Sequence, residues 1–113
     1  MPATPTTPVA LDKTYSLTLW LIEKTSRIPR AHRFTLGDRL YSQSLDLLTA
    51  LTQAAFSRDK SPSLAAASDR VNSIRILLRL AKDLHILSFD SYVHATGLLD
   101  EIGRMIGGWR KAQ

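Results

Sequence analysis

There is no cysteine among the 113 residues, which excludes disulfides and thiolate metal sites together. Histidine is scarce as well. His32, His85 and His94 stand apart, and no two of them share the i, i+4 spacing that sets paired ligands on one helical face. Asp83 and His85 are two apart and point to different sides of a helix, while the adjacent Asp100 and Glu101 diverge in direction. Neither a phosphate-cradling glycine loop nor a nucleophile elbow occurs. The expectation is therefore a protein that is not an enzyme, with no metal site and no cofactor. Aromatic residues make up only 7% of the chain and are not interleaved with the cations as a stacking platform for single-stranded bases requires. No apolar run approaches the roughly 18 residues that cross a bilayer. The opening Met1 to Pro8 also lacks the charged start, apolar stretch and cleavage site of a signal peptide. A cytoplasmic protein without membrane association is expected.

What is present is a chain that is 44% hydrophobic, enough at this length to bury a real core as one domain. No stretch alternates with period two, so strands are not expected. Residues 1–7, with Pro2 and Pro5, read as a disordered proline-rich arm, and residues 8–113 as the folded domain. Thr7 before Pro8 caps a first helix that runs to about Arg27, with Leu11, Tyr15, Leu19 and Ile22 on its broad apolar face. Pro29 stops it. Thr35 with Asp38 forms a capping-box-like start for a second helix, carried by Leu36, Leu40, Leu47, Leu48, Leu51 and Ala55 to about Phe56. Ser61 before Pro62 opens a third, through Ala67, Val71, Ile74 and Leu78 to about Leu84. Ser88 caps a fourth, stapled by Leu87 and Tyr92 and continued by Phe89, Val93, Thr96, Leu99, Ile102 and Ile106. Gly107 and Gly108 should end this helix or admit a neighbouring backbone. Four helices with short connections predict an all-α, antiparallel up-down-up-down four-helix bundle. Trp20, Leu21 and Ile22 in succession, and Ile76 and Leu80 outside the main face of the third helix, exceed what one bundle needs. That excess predicts a homo-oligomer.

Fifteen Lys and Arg against ten Asp and Glu leave a formal charge of +5, and ten of the fifteen are arginine, the residue suited to bidentate phosphate contacts. They concentrate in two places. Arg27, Arg30 and Arg33 crowd the connection after the first helix, with His32 beside them. Arg75, Arg79 and Lys82 fall within an arc of about 60° on the third. Arg75 has no acidic residue at i±4 and Arg79 has only Asp83, so pairing within the helix cannot neutralise the row. Such a row suits a polyanion recognised by its backbone and shape. An oligomeric helical scaffold for an acidic protein partner is the alternative reading.

Three segments carry a family resemblance: Ile28-Pro29-Arg30-Ala31-His32-Arg33-Phe34-Thr35-Leu36-Gly37-Asp38-Arg39, Ile74-Arg75-Ile76-Leu77-Leu78-Arg79-Leu80-Ala81, and Leu99-Asp100-Glu101-Ile102-Gly103-Arg104-Met105-Ile106-Gly107-Gly108-Trp109. Together they resemble the accessory variability determinant proteins of diversity-generating retroelements. These belong to a wider group of small four-helix-bundle proteins that includes those encoded by intervening sequences in bacterial large-subunit ribosomal RNA genes. The resemblance implies a homopentameric, barrel-like assembly with a positively charged surface. It also implies a reverse transcriptase as partner, binding of RNA and DNA/RNA hybrid, and a supporting role in mutagenic reverse transcription. Carried over position by position, nucleic-acid binding would fall on Arg75 and Arg79, with Arg30, Arg33 and Arg39 at matching positions; Lys82 is added by helical spacing.

Overall fold

Helical periodicity accounts for nearly every element of the computed structural model, which describes residues 8–113. The proline-rich arm and the Thr7 cap lie outside the described residues. Four long helices follow in order: α1 (Val9–Thr25), α2 (Asp38–Phe56), α3 (Ser61–Asp83) and α4 (Phe89–Lys111). Among the described residues there is no strand. Each helix packs on its chain neighbours, and α4 closes back onto α1. Cross-helix pairs set the direction. Lys13 meets Glu101 and Trp20 meets His94, so residue numbers rise along α1 as they fall along α4. Arg75 meets Asp100 and Lys82 meets Tyr92, which runs α3 against α4. The result is an up-down-up-down bundle about 50 Å long and 26 by 23 Å across.

One continuous core fills it, built on Leu17, Leu21, Leu40, Leu47, Leu51, Leu64, Ile74, Leu78, Leu99 and Ile102. On α3 the expected face holds, with Ala67, Val71, Ile74, Leu78 and Ala81 buried while Ile76 and Leu80 lie outside it. On α1 it does not. The buried positions are Ala10, Thr14, Leu17, Thr18, Leu21 and Thr25, whereas Tyr15 is 57% and Leu19 55% exposed. Threonine makes this possible. Thr14 Oγ1 donates to the Ala10 carbonyl and Thr18 Oγ1 to that of Thr14, both at 2.7 Å, so each hydroxyl is satisfied within the helix and only its methyl faces the core. The first half of α4 departs from expectation in the same way: Ala95 is buried, while Phe89 and Val93 are exposed.

The segment after α1 is another correction. α1 ends at Thr25, short of Pro29, and Pro29 opens the next helical run at once, with an α-turn over Arg30–His32 and a π-helical turn over Arg33–Gly37 leading into α2. No capping box forms at Thr35, whose hydroxyl instead donates to the His32 carbonyl. The wide turn buries Leu36 and leaves Phe34 outside. π-turns of this kind accommodate one extra residue per turn and concentrate at functional sites.

Caps close the remaining ends. Ser88 accepts from the Ser91 amide at 3.1 Å, as its position implies. At α3 Ser61 does not cap but is the first helical residue, and its own amide donates to the Asp59 carboxylate. Lys60 then turns back and donates from Nζ to the carbonyls of Ala54 and Ser57, at 2.7 and 2.8 Å, closing the end of α2; its ammonium also lies 5.8 Å from the Trp109 ring centroid. Replacing Lys60 by Met keeps the aliphatic stem and removes two charge-assisted bonds, so thermal unfolding should report a loss of about 1–3 kcal/mol. A shift of only a few tenths would show that water satisfies those carbonyls equally well.

α3 ends in a Schellman motif. The Ile86 amide bonds to the Ala81 carbonyl and the His85 amide to that of Lys82, with His85 at φ 60°. A left-handed conformation costs a β-carbon-bearing residue about 1–2 kcal/mol and glycine almost nothing. His85→Gly is therefore expected to stabilise the bundle by about 1 kcal/mol in chemical denaturation; a loss would mean that the imidazole makes a compensating contact. Gly107 and Gly108 neither end α4 nor admit a neighbour. The helix runs through both to Lys111, and a Cβ at either would meet nothing within 4 Å.

Candidate nucleic-acid interface

Arg75, Arg79 and Lys82 do share the flank of α3 that faces α4, but in three different environments. Arg79 is exposed and makes no ion pair among the described residues. The Lys82 ammonium lies 3.5 Å from the Asp83 carboxylate and 4.8 Å from the Tyr92 ring centroid. Arg75 reaches across to α4 and pairs with Asp100. That last contact corrects the expectation of an unneutralised row. No acid stands on the helix within reach of Arg75, but the neighbouring helix supplies one.

Between α3 and α4 lies a shallow groove of about 370 Å³, lined by Ser68, Asn72, Arg75, Asp100, Gly103 and Arg104 among others. Gly103 lies against this crossing: a Cβ there would make ordinary contact with Val71 Cγ1 at 3.7 Å and stand 4.0 Å from the Arg75 guanidinium. Arg104 is a cation of this surface that the clustering of charges along the chain does not single out. It lies four residues beyond Asp100 and hence on the same flank of α4, so its i, i+4 relation to Asp100 becomes informative only when Asp100 faces α3.

Asp100 and Glu101 diverge as their adjacency requires. Glu101 turns to α1, where Lys13 Nζ sits 2.7 Å away. The Lys13 hydrogen bond and charge hold its carboxyl below the usual glutamate range, with Arg104 adding to the effect. Glu101 therefore stays anionic on the far side of α4, and among the described residues Asp100 is the one carboxylate lining the α3–α4 groove.

Arg30 and Arg33 do not join this surface. Arg33 donates from its guanidinium to the Ile28 carbonyl at 3.4 Å and lines the groove between α1 and α2 with Ile22, Thr25 and Tyr41. Arg30 sits exposed on the helical turn before it, and Arg27 pairs with Glu23 at 3.2 Å. In a bundle where each helix packs chiefly on its chain neighbours and α4 packs on α1, the α1–α2 and α3–α4 grooves lie on opposite sides. The two basic clusters share an end of the bundle and not a face. Arg39 lies elsewhere again, at the rim of a groove of about 700 Å³ between α2 and α3. That groove is floored by Leu36, Leu77, Leu80 and Leu84 and flanked by Phe34, which is 72% exposed. Among the described residues no group of three or more His, Asp or Glu could hold a metal ion, and no helix is long and apolar enough to cross a membrane.

A family model described as bAvd-like matches residues 9–113, all but the first residue of the described fold. No curated protein and no solved structure matches the chain.

Proposed function

Because the chain belongs to the bAvd-like family, the accessory variability determinant proteins of diversity-generating retroelements, we propose that it is a non-enzymatic accessory subunit that binds RNA and DNA/RNA hybrid and associates with the element's reverse transcriptase. The observation that carries the nucleic-acid half of this reading is the α3–α4 flank, where Arg79 is unpaired among the described residues and Arg75 and Arg104 border an open polar groove. Guanidinium groups on a rigid helical flank suit phosphate oxygens, and the small groove volume suits a backbone passing over the surface more than a base inserted into it. Repetition of this flank once per subunit in a cytoplasmic homopentamer would turn a modest charge into a ring. Exposed Tyr15, Leu19, Phe34, Ile76, Phe89 and Val93 supply apolar surface for such an assembly and for a polymerase to dock against.

The test is binding of a labelled RNA–DNA hybrid across a salt series, with polyglutamate as a competing polyanion. A log–log plot of affinity against salt should be linear and steep, and hybrid should outcompete polyglutamate. A flat salt response, or preference for polyglutamate, would instead favour an oligomeric scaffold for an acidic protein partner. Mass measurement in solution tests the assembly: a monomer at micromolar concentration would remove it.

A further inference from the structure

We infer that Asp100 is a built-in competitor for the phosphate site: its carboxylate occupies the Arg75 guanidinium in the free protein and must be displaced before Arg75 can take a nucleic-acid phosphate. This rests on the proposed nucleic-acid reading and deepens it. Three features of the groove point the same way. The pair is half-exposed on both sides, with side-chain accessibilities of 40% for Arg75 and 49% for Asp100, so the guanidinium can be approached without unfolding anything. The pair spans two helices and lines the shallow groove between them beside Gly103, which has no side chain to lay over the guanidinium. Among the described residues, the other charges that could share the groove are cations. Arg104 lines the groove a turn further along α4, Arg79 is exposed just beyond the groove, a turn further along α3, and Glu101 is held away by Lys13.

An exposed ion pair holds its partners together by roughly fivefold at most. A phosphate at the same guanidinium gains bidentate charge-assisted bonds and releases condensed counterions, so displacement is favourable for a polyanion engaging several cations at once. A single small anion engages only one and gains far less. Asp100 thus sets a threshold: it screens Arg75 from isolated anions and yields to a backbone that reaches Arg79 and Arg104 together. Removing the carboxylate should free one phosphate-binding guanidinium per subunit.

The experiment is a double-mutant cycle on the full chain, read by binding of the labelled RNA–DNA hybrid over the same salt series, with inorganic phosphate as the small-anion competitor. Asp100→Asn should bind hybrid about three- to fivefold more tightly at low salt, with a salt slope close to wild type because Arg75 neutralises a phosphate in both complexes, and inorganic phosphate should compete better than against wild type. Asp100→Glu, which keeps the charge, should remain close to wild type. In an Arg75→Gln background the Asp100→Asn gain should largely vanish. An equal gain in both backgrounds would reduce Asp100 to a general contribution to net charge and overturn the inference, as would unchanged or weaker binding by Asp100→Asn while wild type still binds. If neither wild type nor Asp100→Asn binds hybrid at low salt, the functional reading itself fails.

Discussion

Leu78→Ala lowers the unfolding free energy by about 2–5 kcal/mol, measured by denaturant titration. Leu78 has no exposed surface and sits on the core face of α3, flanked by Ile74 and Ala81, which are buried as completely. Both transfer and cavity contributions act there, because helices packed on two sides cannot collapse into the space left behind. A domain of this size holds a net stability of only about 5–15 kcal/mol, so the upper part of that range leaves it marginal. Ile76→Ala, two residues away and 62% exposed, is the matched control and should cost a fraction as much. A loss under about 1 kcal/mol for Leu78→Ala would place the residue at a surface and put the face assignment of α3 in error.

On the proposed reading, replacing Arg75 and Arg79 together by glutamine weakens hybrid binding about tenfold or more at low salt. It also lowers the log–log salt slope by about 1.8, or 0.9 for each phosphate no longer neutralised. The magnitude follows from counterion release and not from any base contact, so it should be the same for unrelated sequences. Stability should barely change: Arg79 contributes no ion pair among the described residues, and the half-exposed Arg75–Asp100 pair is worth about 1 kcal/mol or less after screening. Circular dichroism and solution mass separate loss of binding from loss of fold. Unchanged affinity would move the interface away from α3. Arg30 and Arg33 across the bundle would then be the next cations to test, although Arg33 is already engaged with the Ile28 carbonyl.

Fold class, helix count and the family were legible in the linear chain. The apolar period of α3, the Ser88 cap and the three motif segments each depend on neighbours within a few residues, and local interactions of that kind survive in any tertiary setting. The failures share a cause too. Ranking residues by hydrophobicity put Tyr15 and Leu19 in the core and left Thr14 and Thr18 out, although a threonine whose hydroxyl is satisfied by its own helix packs as a small apolar residue. The capping-box pattern at Thr35 is present but unused, because Pro29 has already started helical backbone at Arg30 and a residue inside a helical run has no free end to cap.

For the Ile74–Lys82 row, sequence spacing was sufficient to place three cations on one flank, since the angle between residues on a helix does not depend on what surrounds it. Their charge state as a surface was another matter. Whether Arg75 is free depends on an aspartate 25 residues away, brought opposite by the antiparallel packing of α4. Likewise, whether Arg30 and Arg33 add to the row depends on which grooves the connection faces. Pairing between helices is a property of register and crossing, and neither is encoded within reach of a single turn.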